Sequence, residues 1–181
     1  MEATIKTKSF LNPETLLRSI PIEPNMIVAD FGCGNGYYAV ASAVIAGKKG
    51  QVYALDILDD SLSQTATLAR LTQVHNVSTM SCDLEKIGSC KLADTSCDVV
   101  IISSLMHQVA NHENVLREAY RVLKTGGKIL IVEWLPESPF GPEQKSRMPK
   151  TKVEEWLPKF GFRPDRELPA GSFHYSLLYE K

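Results

Sequence analysis

The stretch MIVADFGCGNG, residues 26–36, decides the fold of this chain. Its apolar start predicts a buried strand over Met26 to Ala29 that ends at Asp30. Three glycines then alternate with other residues, which permits a tight turn and a close approach of the backbone to a ligand. The Ala- and Val-rich stretch Tyr37 to Ala46 predicts a helix packed against a sheet. A strand, a glycine turn and a helix in this order favour an α/β fold with a ligand at the turn.

The same alternation of short apolar runs and longer amphipathic stretches continues along the chain, without an internal repeat. Further strands are predicted over 51–55, 77–82, 97–103, 128–134, 162–168 and 173–180. Helices are predicted over 12–20, 37–46, 61–74, 112–123 and 151–160, and Lys124-Thr-Gly-Gly127 should close the fourth of them. We therefore predict a Rossmann-like α/β fold: a mostly parallel sheet of seven strands, with helices on both faces and an antiparallel C-terminal strand.

The length and the 44% hydrophobic content are typical of one domain over residues 1–181. That domain divides into a leading helix segment (1–25), a core that carries the glycine turn (26–134), and a C-terminal part (135–181). The C-terminal part combines a loop, the last helix and a terminal hairpin. Prolines crowd residues 135–149 and predict irregular structure there, whereas 85–92 fits either a loop or a short helix.

The charge balance argues against several classes of partner. Twenty Lys and Arg residues against 21 Asp and Glu residues give a net charge of -1, so the chain has no basic field for nucleic acid. Its apolar runs are far shorter than the roughly 20 residues that cross a bilayer. The stretch Met1 to Phe10 lacks the apolar core of a signal peptide, so a cytoplasmic protein is expected. The four cysteines form no metal-ligand pattern with the histidines and are expected to be reduced structural thiols.

Acidic residues follow three consecutive predicted strands. Asp30 ends the first, Asp56 ends the second 20 residues after Gly36 (56 − 36 = 20), and Asp83 follows Cys82 at the end of the third. In an open parallel sheet the carboxyl ends of the strands lie at one edge, where ligands bind. A carboxylate placed like Asp56 can accept both hydroxyls of a bound ribose. These acids therefore predict a nucleoside site.

The GxGxG spacing opened by an acid resembles motif I of class I S-adenosylmethionine-dependent methyltransferases. Residues 98–107 are similar to the same family's fourth strand and following loop, and residues 123–132 to its entry into strand five, so the resemblance covers Ile27 to Trp134. Within the family it is closest to the small-molecule branch, which includes ubiquinone and menaquinone C-methyltransferases and arsenite methyltransferases. The chain lacks a cysteine set like the one that holds the metalloid in arsenite enzymes, so that activity is not expected.

The resemblance implies S-adenosylmethionine as cofactor, S-adenosylhomocysteine as product and a small molecule as methyl acceptor. It also implies that Asp83 accepts a hydrogen bond from the adenine amino group. The predicted cofactor-binding residues are Asp30, Gly32, Cys33, Gly34, Gly36, Tyr38, Asp56, Ile57, Cys82, Asp83, Leu84, Ser103 and Leu105.

A sulfonium methyl is already activated, so in-line transfer mainly needs an oriented acceptor and the exclusion of water. Where the acceptor carries a proton, His107 is the best-placed base, followed by Glu133 and His174. Aromatic rings that could attract the sulfonium are weaker candidates: Tyr37, Tyr38 and Trp134.

Two other functions stay open at this point. The same architecture serves NAD(P)-dependent oxidoreductases, and it could also form a nucleoside-binding module without catalysis. The GxGxG spacing and Asp83 count against the oxidoreductase. No motif specifies the acceptor or the oligomeric state.

Overall fold

The computed structural model describes residues 9–181, so the predicted lack of a signal sequence falls largely outside the described residues. The strands are β1 (Ile27–Phe31), β2 (Gln51–Asp56), β3 (Val77–Ser81), β4 (Cys97–Ser103), β5 (Leu123–Trp134), β6 (Arg163–Leu168) and β7 (His174–Glu180). The helices are α1 (Pro13–Leu17), α2 (Tyr37–Ala46), α3 (Asp59–Leu71), α4 (His112–Val122) and α5 (Lys150–Lys159).

All seven strands form one sheet in the order β3-β2-β1-β4-β5-β7-β6. Strands β1 to β5 run parallel, and β7 lies antiparallel between β5 and β6. The predicted fold class is therefore confirmed. The direction of strand succession reverses between β1 and β4, which is where such sheets open a crevice for a ligand.

The two faces of the sheet are covered by different helices. Leu16 of α1 and Ala43 of α2 pack on one face, whereas Leu116 of α4 and Leu157 of α5 pack on the other. The central strand β4 is apolar from Val99 to Ile102 because both of its faces are buried.

Polar side chains fix the starts of two helices. The Asn12 side chain accepts from the amide of Thr15, and Pro13 takes the first position of α1. Asn111 caps α4 in the same way through the amide of Asn114. These caps define where the chain turns from loop to helix.

The predicted glycine closure of the fourth helix is wrong. Leu123 leaves α4 directly in an extended conformation and pairs with Cys97, so β5 begins five residues earlier than predicted (128 − 123 = 5). The Gly126 amide donates to the carbonyl of Lys181, and the Lys181 amide donates to that of Gly127. Residues 123–127 therefore pair with β4 and with the chain end that follows β7, and this pairing replaces the helix cap that their glycines predicted.

The proline-rich loop is irregular, as its sequence predicted. It contains a single 3₁₀ turn, Gln144–Ser146, and a clamp formed by Arg147. The Arg147 guanidinium donates to the carbonyls of Leu135, Pro136, Ser138, Phe140 and Pro142. The Arg147 side chain therefore supplies hydrogen bonds to backbone carbonyls that have no partner in a helix or a sheet, because the prolines keep this loop irregular.

The prediction of four reduced thiols is wrong for two of them. Cys82 and Cys90 form a disulfide, with their Cα atoms 5.1 Å apart, because residues 83–89 turn back on β3 without forming a helix. Cys33 and Cys97 are free and buried. Across residues 9–181, no helix has the length and apolar composition needed to cross a membrane.

Candidate functional site

A cavity of about 640 Å³ opens at the carboxyl ends of β1, β2 and β4. Its walls come from six parts of the chain, three of which are the single residues Pro13, Glu85 and Trp134. The other lining residues are Asp30, Gly32, Cys33, Gly34, Asn35, Tyr37, Tyr38, Asp56, Ile57, Leu58, Ser61, Ser103, Ser104, Leu105, Gln108 and Val109. Most of the predicted cofactor residues thus lie around one cavity, whereas Gly36, Cys82, Asp83 and Leu84 lie outside its wall.

The glycines of the turn have two different surroundings: some line the cavity, and one packs against a neighbouring helix. Gly36 has φ +83°, and a Cβ there would lie 2.8 Å from the Cα atom of Thr65 in α3. A Cβ on Gly32 would meet the side chain of Leu105 at 2.9 Å. Gly34 has open space around its Cα atom. Gly36 therefore serves helix packing, while Gly32 and Gly34 line the cavity.

Asp56 points toward the glycine turn. Its Oδ2 accepts from the amide of Gly34 at 3.0 Å, and its Oδ1 accepts from the amide of Leu58 at 3.0 Å. The side chain is nearly buried, yet it lines the cavity. Each carboxylate oxygen keeps a further lone pair for a ligand hydroxyl. The orientation needed for a ribose contact is therefore present.

Asp30 is buried at the end of β1 with 1% of its surface exposed, and its Oδ2 has no hydrogen-bond partner among residues 9–181. Burial raises the pKa of Asp30 to about 7; the amide of Ala39 lowers it and the charge of Asp56 raises it further. The nearby Tyr38 hydroxyl faces Ser103 but lacks a bond of normal length and angle. Two unsatisfied polar groups thus meet at the floor of the cavity, where a ligand could satisfy them.

The predicted adenine acid, Asp83, lies apart from the cavity wall. Its Oδ1 accepts from the amide of Glu85, and 28% of its side chain is exposed beside Lys86. Leu84 is buried in the core. Glu85 lines the cavity instead, and its Oε2 accepts from the amides of Ala110 and Asn111. Glu85 was not predicted as a site residue, because it does not end a strand.

His107 and Glu133 form a buried pair. The Nδ1 atom of His107 lies 2.8 Å from Oε2 of Glu133, and the other carboxylate oxygen accepts from the Met106 amide at 2.7 Å. Glu133 is fully buried and faces Tyr175, whose pKa is raised by burial and by the charge of Glu133. The carboxylate fixes one ring nitrogen and leaves Nε2 for another partner. Neither residue lines the cavity, although their neighbours Leu105, Gln108 and Trp134 do.

His174 does not line the cavity but contacts Trp134, which does. The two rings pack against each other at a tilt of 42° with centroids 4.0 Å apart, and Trp134 lines the cavity whereas His174 does not. The Nδ1 atom of His174 has no partner, and burial lowers its pKa. On its other side the indole packs against Gly141, where a Cβ would lie 2.5 Å from the ring. The 135–149 loop therefore holds Trp134 in place.

The sheet order and the acids at the strand tips define a Rossmann-like α/β fold with a nucleoside-type cavity. Residues 22–160 match the family described as "Methyltransferase domain", so the chain belongs to that family. Among curated relatives, a ubiquinone/menaquinone biosynthesis C-methyltransferase from Hydrogenovibrio crunogenus is 31% identical over 113 residues, which is 62% of this chain and 44% of that protein. An arsenite methyltransferase from Halobacterium salinarum is 28% identical over 65% of this chain and 29% of its own length. The chain thus spans less than half of these two relatives.

Solved structures share the fold. A SAM-dependent methyltransferase from Aquifex aeolicus superposes with a TM-score of 0.86 at 24% identity, over 94% of this chain and 89% of that one. An arsenic(III) S-adenosylmethionine methyltransferase from Chlamydomonas reinhardtii gives a TM-score of 0.70 at 21% identity, over 99% of this chain and 69% of the other.

Proposed function

We propose that this chain binds S-adenosylmethionine and transfers its methyl group to a small-molecule acceptor. The observation that carries the proposal is the orientation of Asp56, which lies at the tip of β2 and is hydrogen-bonded to the glycine turn at the mouth of a single cavity. Family membership supports the same conclusion. No observation favours the oxidoreductase or the non-catalytic module, so neither is proposed.

The lining residues fit this cofactor. Asp56 would accept the ribose hydroxyls, and the open Cα face of the turn at Gly34 would approach the amino acid portion. The unpartnered Asp30 carboxyl is suited to a positively charged group. Ile57, Leu58 and Leu105 offer apolar surface for the adenine ring. A role for Cys82, Asp83 and Leu84 at the adenine edge, implied by the resemblance, stays a prediction.

The bound cofactor would supply an activated methyl group. The residues of this chain would then orient the acceptor and exclude water, effects worth up to about 7–11 kcal/mol. Pro13, Val109 and Trp134 form apolar wall next to the glycine turn, and Gln108 adds a polar group. We assign the acceptor to this part of the cavity.

For acceptors that carry a proton, we propose His107 as the base, oriented by Glu133. Its Nε2 is free of the Glu133 contact, and residues on both sides of it in the chain line the cavity. His174 is the second candidate because it packs against Trp134.

The proposal also covers the partner class, the domain organisation and the cellular location of the protein. The near-zero net charge supports a small molecule rather than nucleic acid as partner. One domain over residues 1–181 is consistent with the single sheet. A cytoplasmic location stays a prediction, and the Cys82–Cys90 disulfide weighs against it because disulfides are rare in reducing compartments.

Isothermal titration with S-adenosylmethionine, S-adenosylhomocysteine and NAD tests the proposal. The two adenosyl ligands should bind and NAD should not. Asp56→Asn should weaken binding roughly 10- to 100-fold, because hydrogen bonds to a charged group are worth about 1.5–3 kcal/mol. Asp60→Asn, an exposed acid in the first turn of α3, is the matched control and should leave affinity unchanged.

Thermal unfolding of both variants would show whether Asp56→Asn still folds. Binding of NAD alone, or equal affinities for the two variants, would contradict the proposal. Radiolabelled methyl transfer to a panel of phenols, quinols, amines and thiols would then identify the acceptor class.

A further inference from the structure

The carboxyl of Asp30 is buried without a partner for one of its oxygens. Only 1% of the residue is exposed, and Oδ2 makes no hydrogen bond. The residue nevertheless lines the cavity. A buried carboxylate is costly unless a positive charge or several donors accompany it. Asp30 therefore lacks, in the protein alone, the partner that its charged form requires.

The groups that face Asp30 supply no positive charge. Asp56 on β2 adds a like charge, Cys33 in the glycine turn is a thiol, and Tyr38 on α2 carries a phenol that faces Ser103 on β4. The amide of Ala39 in the first turn of α2 is the one favourable contact among these groups. Within residues 9–181, the cavity wall contains no Lys, Arg or His. Among residues 9–181 no cation is placed to pair with Asp30, so we look to the ligand for one.

We propose that Asp30 is protonated in the empty cavity, releases its proton to solvent when the cofactor binds, and then pairs as a carboxylate with the cationic amino acid end of that ligand. This inference rests on the proposed function, because it requires a ligand with an adenosyl group and a positively charged tail. The consequence is that cofactor binding is linked to pH.

The direction of the linkage follows from the surroundings of Asp30. Burial raises the pKa of Asp30 to about 7, so the empty site is largely protonated below neutrality. A positive charge placed nearby lowers a carboxyl pKa. Protons are therefore released on binding, and affinity falls as the pH drops below about 7, by up to about tenfold per pH unit. Neighbouring groups do not interfere, because burial raises the pKa of Cys33 to about 12 and raises that of Tyr38.

Calorimetry in buffers of different ionisation enthalpy measures the protons released. For S-adenosylhomocysteine we expect close to one proton per site near pH 6 and almost none near pH 8.5. Asp30→Asn should abolish the difference between these pH values. Near pH 6 the amino group of the ligand is already fully protonated both free and bound, so the difference between the wild type and Asp30→Asn at that pH isolates Asp30.

A second ligand tests the same idea with the unmodified chain. 5′-Methylthioadenosine has the adenosyl group but no cationic tail, so its binding should release no proton near pH 6. Release with this neutral ligand, or equal release by the wild type and Asp30→Asn, would overturn the inference and leave the proposed function intact. If none of the adenosyl ligands binds, the proposed function fails and this inference fails with it.

Discussion

At the scale of single residues, His107 and Glu133 show how a fixed contact can look catalytic or structural. Glu133 is fully buried, and its two oxygens are taken by the His107 ring and the Met106 amide. The pair thus anchors the loop after β4, which supplies Leu105 and Gln108 to the cavity. An anchoring role and a role as base make different predictions.

His107→Gln separates the two roles. If His107 is the base, turnover of a protonated acceptor should fall by about 100-fold or more while the affinity for S-adenosylhomocysteine stays the same. His112→Gln is the matched control, because His112 contacts the Met106 carbonyl in the same loop. Turnover that survives in His107→Gln, or equal losses of affinity in both variants, would reject His107 as the base.

At the scale of structural elements, the turn between β1 and α2 contains two glycines, Gly34 and Gly36, that differ in their surroundings. Gly34 and Gly36 both have positive φ, at +49° and +83°, but an added Cβ would meet Thr65 only at Gly36. Gly34→Ala should cost about 1–2 kcal/mol from the left-handed conformation alone. Gly36→Ala should cost about 1–3 kcal/mol more, because α2 or α3 must shift.

Denaturant unfolding of the two variants, side by side, measures this difference. A similar free energy of unfolding for both would mean that Thr65 moves aside without cost, and that α2 and α3 are less tightly fixed than the structure indicates.

The elements that sequence reasoning found share a local cause. Apolar runs, the Asn12 cap and the glycine turn act within a few residues, so β1, β4 and the start of α1 were predictable. The end of α4 was not, because Leu123 is drawn into β5 by pairing with Cys97, which is distant in sequence. Tertiary pairing overrode the helix-closing glycines at 126 and 127.

The residues of the candidate site likewise include some that local sequence patterns predicted and some that only the folded chain brings together. Asp30 and Asp56 were predictable because each ends a strand next to the crevice. Glu85 was missed because it reaches the wall from a loop that only the folded chain brings near. The Cys82–Cys90 disulfide was missed for a similar reason, since the return of residues 83–89 onto β3 left no pattern in the sequence.

At the scale of the whole molecule, that disulfide closes a small loop beside the cavity. Closing a loop of this length is expected to stabilise the fold by about 2–3 kcal/mol. Treatment with a dithiol reductant should therefore lower the midpoint of thermal unfolding by about 5–10 °C. Cys82→Ser should unfold at the lower temperature and be insensitive to the reductant. Identical unfolding of the wild type with and without reductant, with no change in titratable thiols, would contradict this prediction.

The outer strand β6 of the sheet is a poor template for another chain. The outer strand β6 is almost wholly exposed and carries Arg163, Pro164, Asp165, Arg166 and Glu167 in succession. At the opposite margin, β3 has the polar sequence VSTMS. Charges and a proline on an unpaired margin discourage hydrogen bonding to a neighbouring copy. Fibril-like growth by strand addition is therefore disfavoured at the β6 border of the molecule.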